Sequence, residues 1–176
     1  MIRKILVTAF ALTISSQATA QSPASETAAL TYALKRICGW HLEGTSSSSL
    51  FGSEVKSNGW MQSARGGGII YDKSGDWGRI QVLYSTKDYS GRCMVSVTPA
   101  DAVEVDVTAM RGAVEAFVSE RFPTAKHEKD RLPAETNKDV TESVWTAENG
   151  RWSVQLGEMA PVQNRPIVRA VWNRSF

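Results

Sequence analysis

The sequence predicts an α+β protein: an antiparallel sheet of about six strands with two helices packed on one face. Three observations predict it. Two stretches carry apolar residues at helical spacing, and several shorter ones alternate apolar with polar residues between Gly- and Asn-bearing turns. Helix and strand patterns also recur in the same order in each half of the chain.

The first 20 residues have the three zones of a secretory signal peptide. Arg3 and Lys4 give a positive start, Ile5 to Ile14 form a mostly apolar stretch, and Ala18-Thr19-Ala20 supplies the small-x-small ending that a signal peptidase accepts. The apolar stretch is too short for the roughly twenty residues of a membrane-spanning helix. No Cys lies near the cut to carry a lipid, and no later segment is long and apolar enough to span a bilayer. The expectation is cleavage behind Ala20 and a periplasmic or secreted protein beginning at Gln21. Residues 21–176 then suit a single α+β domain.

The first helix is expected where Leu30, Ala33, Leu34, Ile37 and Cys38 share one face, with Ser22-Pro23 or Ser25 as its start signal and Gly39 as its stop. A second follows Asp106 or Thr108, with Val107, Met110, Val114, Phe117 and Val118 as its apolar stripe and Pro123 closing it. Ile80, Val82 and Tyr84 line one face of a strand, and Cys93, Val95 and Val97 line the next. Asp72-Lys73-Ser74-Gly75 and Glu148-Asn149-Gly150 read as hairpin turns. Trp152, Val154 and Leu156 mark a further strand, and Ile167 to Trp172 the last.

Aligned on these features, residues 25–98 and 107–172 read as two helix-plus-three-strand repeats. Gly75-Asp76-Trp77 corresponds to Gly150-Arg151-Trp152, and Arg92 to Arg165. Such a repeat predicts positive φ at both Gly75 and Gly150, and equivalent places for Trp77 and Trp152. The connections from Gly44 to Ser57 and from Lys126 to Asp139 are long and polar, a length that in compact domains is usually mobile or functional.

Cys38 and Cys93 are the only two cysteines. In an oxidising compartment two thiols of one small domain pair as a disulfide, which on the chain-entropy view contributes roughly 4 kcal/mol for a loop of this length. Their spacing is not that of a redox pair, and Cys38 with His41 does not complete a zinc site. No metal or cofactor is expected. Charge narrows the partners: the chain carries 20 Lys and Arg against 18 Asp and Glu, and loss of Arg3 and Lys4 with the signal leaves the two signs equal. A balanced surface argues against nucleic acid or an anionic membrane as the main partner.

Catalytic patterns are sparse. Ser53-Glu54-Val55-Lys56 matches the Ser-x-x-Lys core of penicillin-binding enzymes, but the Ser-Asp-Asn and Lys-Thr-Gly elements that accompany it are missing. Of the two histidines, His41 follows Trp40 and His127 lies in a charged stretch; no Gly-x-Ser-x-Gly elbow positions a nucleophile. Arg65-Gly66-Gly67-Gly68 leads into a strand rather than a helix, so it lacks the amide cluster of a phosphate loop.

The six tryptophans are many for this length. Most fit inward positions, but Trp60 and Trp145 lie on less regular strands, and Tyr71 and Tyr89 flank hairpin turns. Tyr89 beside Lys87, Asp88 and Arg92 has the make-up of a binding hot spot, a rigid aromatic ringed by polar groups. The expected binding surface is therefore Tyr71, Tyr89, Arg92, Trp60 and Trp145. The expected function is a non-enzymatic protein-binding or inhibitory module whose partner is another envelope or secreted protein. The alternatives are a binder of a small molecule or cell-wall fragment, then a hydrolase without a recognised motif.

Overall fold

The computed structural model describes residues 26–44, 48–87, 90–101, 103, 106–129, 140–162 and 165–175. Residues 1–20, expected to be a signal segment, and Tyr89 lie outside the described residues.

The α+β class holds, with eight strands rather than six and three helices rather than two. Glu26–Tyr32, a π-helical Ala33–Cys38 and Gly39–Glu43 join through right-handed helical dihedrals into one rod, α1. The wider π turn keeps Ala33, Leu34, Ile37 and Cys38 all buried on one side. Helix α2 is Ser48–Ser57 and α3 is Val107–Arg121. Asp106 caps α3, its carboxylate accepting the Ala109 N–H at 2.8 Å. The strands are β1 Met61–Arg65, β2 Gly68–Gly75, β3 Gly78–Lys87, β4 Ser90–Pro99, β5 Lys126–Lys129, β6 Val140–Ala147, β7 Trp152–Val162 and β8 Arg165–Ser175.

All pairings are antiparallel, in the order β1-β2-β3-β4-β8-β7-β6-β5. Each half of the chain thus contributes helix followed by a four-stranded meander, not three strands, and the halves meet where Cys93 faces Trp172 and Val95 faces Ala170. Inward residues of the strands, among them Ile80, Val82, Cys93, Val95, Val154, Leu156 and Trp172, join Leu30, Leu34, Ile37, Met110, Val114 and Phe117 of the helices in one core. The disulfide joins Cys38 of α1 to Cys93 of β4, with Cα atoms 5.5 Å apart, so it ties the helical layer to the middle of the sheet.

The opposite face carries a single row of aliphatic side chains. Ile70, Leu83, Met94 and Val171 are successive cross-strand partners from β2 to β8, and polar rows flank them.

Four local expectations need correction. Gly39 does not stop α1: it sits in the right-handed helical region, and the left-handed cap is Gly44 at φ 71°. Asp72 to Gly75 belong to β2, and the turn is the pair Asp76-Trp77, closed by Gly75 opposite Gly78. Positive φ falls on Gly78 (132°) and Gly150 (88°), not on Gly75. Trp77 is therefore a turn residue while Trp152 begins β7, and the two are not equivalent. Finally, α2 occupies most of Gly44 to Ser57, while of the second long connection Lys126–Lys129 form β5 and residues 130–139 lie outside the described residues.

Candidate functional site

The edges of the sheet differ. β5, Lys-His-Glu-Lys, is four residues long and charged at three of them, the usual protection against unwanted strand pairing. β1, Met-Gln-Ser-Ala-Arg, is exposed at all five positions and carries one charge, on Arg65. Local chemistry sets how it presents its backbone. Gly66 and Gly67 both have positive φ (58° and 81°), which makes the β1–β2 connection a two-residue type I′ turn closed by Arg65 opposite Gly68. In such a hairpin the closing pair exchanges hydrogen bonds and the next pair does not. Ala64 and Gln62 therefore direct their main-chain N–H and C=O groups away from β2, toward the open edge.

Next to this edge lies a cavity of about 500 Å³, lined by Gly52, Val55, Lys56, Trp60, Met61 and Gln62. The end of α2 builds it. The Gly59 N–H donates to the Lys56 carbonyl at 3.0 Å and the Trp60 N–H to the Val55 carbonyl at 3.1 Å, with Gly59 at φ 76°. That is the Schellman arrangement, and it brings Trp60 against Val55 as the motif ordinarily does. Lys73 of β2, buried at 5% exposure, secures the turn by donating to the Asn58 carbonyl at 2.6 Å. Burial lowers its pKa.

Helix α2 is held to α1 by aromatic and ionic contacts. Trp40 stacks on Phe51 at 4.3 Å, and Tyr32 stacks on Trp60 at 6.0 Å. Glu54 accepts from Arg36 Nε at 2.8 Å and from the Tyr32 hydroxyl at 3.3 Å. The Arg36 guanidinium holds the Glu54 carboxyl below its usual range. Burial, aided by the Glu54 charge, pushes the Tyr32 phenol up to about 12. Trp60 is buried, 3% exposed, yet its indole Nε1 has no hydrogen-bond acceptor. An unsatisfied buried donor costs about 1–3 kcal/mol.

The expected binding residues do not converge. Trp60 lines the cavity, whereas Tyr71 is buried beneath α1 and α2, its hydroxyl 2.8 Å from His41 Nε2. Trp145 is buried near the other edge of the sheet, stacked at 4.6 Å on His127. Arg92 is exposed on β4, and Tyr89 lies outside the described residues. No protein-family model, curated protein or solved structure matches this chain.

His41 sits among aromatics: its ring stacks on Tyr84 at 4.1 Å and meets Trp40 edge-on at 4.6 Å. Its polar partner is the Tyr71 phenol rather than a carboxylate, and burial lowers its pKa to about 4. This is a structural arrangement that favours the neutral imidazole. Ser53 is exposed on α2, one helical turn from Lys56. Among the described residues no group of three His, Cys, Asp or Glu side chains is gathered as for a metal, and no helix is long and apolar enough to cross a membrane.

The sequence reading missed β1 and α2. The one signal that pointed here was Trp60, expected on a less regular strand and found instead between α2 and the start of β1.

Proposed function

We propose that the chain is exported, loses its first 20 residues, and acts as a non-enzymatic protein-binding or inhibitory module that accepts an extended segment of another protein along β1. The observation that carries this is the contrast in charge between the edges: among the described residues β5 is charged at three of four positions, while β1 carries one charge over five exposed residues and offers outward main-chain groups; a cavity lies beside each edge. Adding a strand to an exposed edge supplies main-chain hydrogen bonds, and an adjacent pocket supplies side-chain selection. The same proposal treats the two halves as copies of one helix-plus-meander unit, of which, among the described residues, the first has the less charged edge strand.

A second reading is favoured by the cavity itself. Its volume, about 500 Å³, lies within the range of small-ligand sites, and Trp60 lines it as an aromatic wall. A cell-wall fragment or other small molecule would then be the ligand.

One experiment separates them. Tagged protein and its Ala64→Pro variant are recovered from the native envelope after crosslinking, and the bound proteins are identified by mass spectrometry. A partner held by the parent and lost from the variant supports strand addition; a partner kept by both overturns it. N-terminal sequencing of the same material tests export: it should begin at Gln21, and a retained Met1 would overturn that part.

A further inference from the structure

We infer that the segment bound along β1 is acidic, with an aliphatic side chain for the Trp60 cavity and carboxylates toward the two ends of the strand; this rests on the strand-addition reading above. Three observations select it. Arg65 ends β1 at one side and Lys56 lines the cavity at the other, and no acidic residue occurs in β1 itself. Along an extended partner these cations are separated by roughly the length of the strand, about 13–16 Å at about 3.3 Å per residue. Arg65 shares the Ile70 face of the sheet through Ser63 opposite Ile70, whereas Lys56 belongs to the helical layer, so carboxylates an odd number of residues apart, about three or five, face both.

The cavity selects the middle of the segment. Val55, Trp60 and Met61 give it apolar walls, and Met61 is 69% exposed, so a branched aliphatic group entering there covers surface that water now contacts.

Charge also decides between a foreign segment and a second copy of this chain. Two β1 strands paired antiparallel would set Arg65 of each beside the Met61 end, and hence Lys56, of the other. Paired in parallel, they would set Arg65 against Arg65. Both arrangements bring like charges together at the ends, which is the arrangement that interfaces avoid.

The test uses isotope-labelled residues 21–176 with the disulfide intact, titrated with two acetylated, amidated heptapeptides and followed by amide NMR shifts. One peptide has a Val-Leu-Val centre flanked by aspartates; the other has the same centre flanked by lysines. The acidic peptide should shift the Gln62 and Ala64 amides and bind at least tenfold tighter than the basic one at low salt, with the gap closing in 0.5 M NaCl. Ala64→Pro should weaken it tenfold or more, because proline removes an outward N–H without touching the β1–β2 ladder. Gly52→Leu should weaken it too, since a Cβ at Gly52 meets nothing within 4 Å and the added side chain has the cavity to fill. Should Ala64→Pro melt early, the acidic peptide N-methylated at alternate residues removes the same hydrogen bonds from the other side. Lys56→Glu with Arg65→Glu should reverse the preference.

Equal binding of both peptides, still lost in Ala64→Pro, would overturn the acidic assignment and leave strand addition standing. Binding by neither peptide would overturn strand addition together with it.

Discussion

At His41 the surrounding rings decide the protonation state, and stability inherits a pH dependence from it. The folded pKa, about 4, lies below the unfolded value near 6.5 because burial disfavours the imidazolium. Between those values the unfolded chain binds the proton and the folded one does not. The contribution of this site is therefore complete above about pH 6.5 and is lost progressively as pH falls toward 4. Urea melts at pH 7, 6, 5 and 4 should show this loss, and His41→Gln should flatten that part of the profile relative to the parent. An unchanged profile in the variant would mean that other groups carry the dependence. The disulfide is the second residue-scale determinant. Cys93→Ala should destabilise by roughly 2–5 kcal/mol in equilibrium unfolding, as loss of a native bridge does in small secreted domains. Peptide mapping without reductant should find Cys38 joined to Cys93.

Elements show where glycine is required and where it is merely tolerated. Gly78 has φ 132°, and a Cβ there would lie 2.2 Å from the Thr98 carbonyl oxygen, an atom of the β4 backbone. Gly78→Ala should cost about 3 kcal/mol, the sum of a strained dihedral and a clash that no rotamer relieves. Gly112 is an exposed residue within α3 whose Cβ would meet nothing within 4 Å. Gly112→Ala should instead stabilise by about 0.5–1 kcal/mol through helix propensity. Thermal melts of the pair, expected to move in opposite directions, check both. The elements also differ in how readable they were. α3 announced itself through an amphipathic stripe, a cap and Pro123. β1 could not, because all five of its residues are exposed and an edge strand without a buried face has no alternation to detect. α2 was obscured by the serines at its start, poor helix formers in the interior, although Phe51 and Val55 one turn apart bury its inner side.

On the scale of the whole molecule the sheet is closed in the middle and, among the described residues, unpaired at its two ends. β4 and β8 are each paired on both sides, and the halves share one core through Cys93, Val95, Ala170 and Trp172. Either half alone would expose its central strand edge and its share of that core. Residues 21–101 and 102–176 expressed separately should each lack a cooperative unfolding transition, and mixing them should restore one. A cooperative melt of either fragment would show that the halves are independent units. The distance between the sequence-read binding residues has the same origin. Trp60 lies at the β1 end of the sheet, while Trp145, on β6, is next to the opposite edge.

The sequence by itself determined the class, both main helical stripes, the inward faces of β3, β4 and β7, and the pairing of its two cysteines. These are signals written in nearest-neighbour order: periodicity, caps, turn residues and a count of two thiols. Only the tertiary structure decided that Tyr71 and Trp145 are interior, that α2 lies against α1, and that β1 is an open edge beside a cavity. Those facts depend on what stands opposite a residue across the sheet or the helical layer. A tyrosine near a turn has the same local pattern whether a helix covers it or water does. The covering helix is set by long-range contacts such as Trp40 on Phe51 and Arg36 on Glu54, which no spacing along the chain encodes.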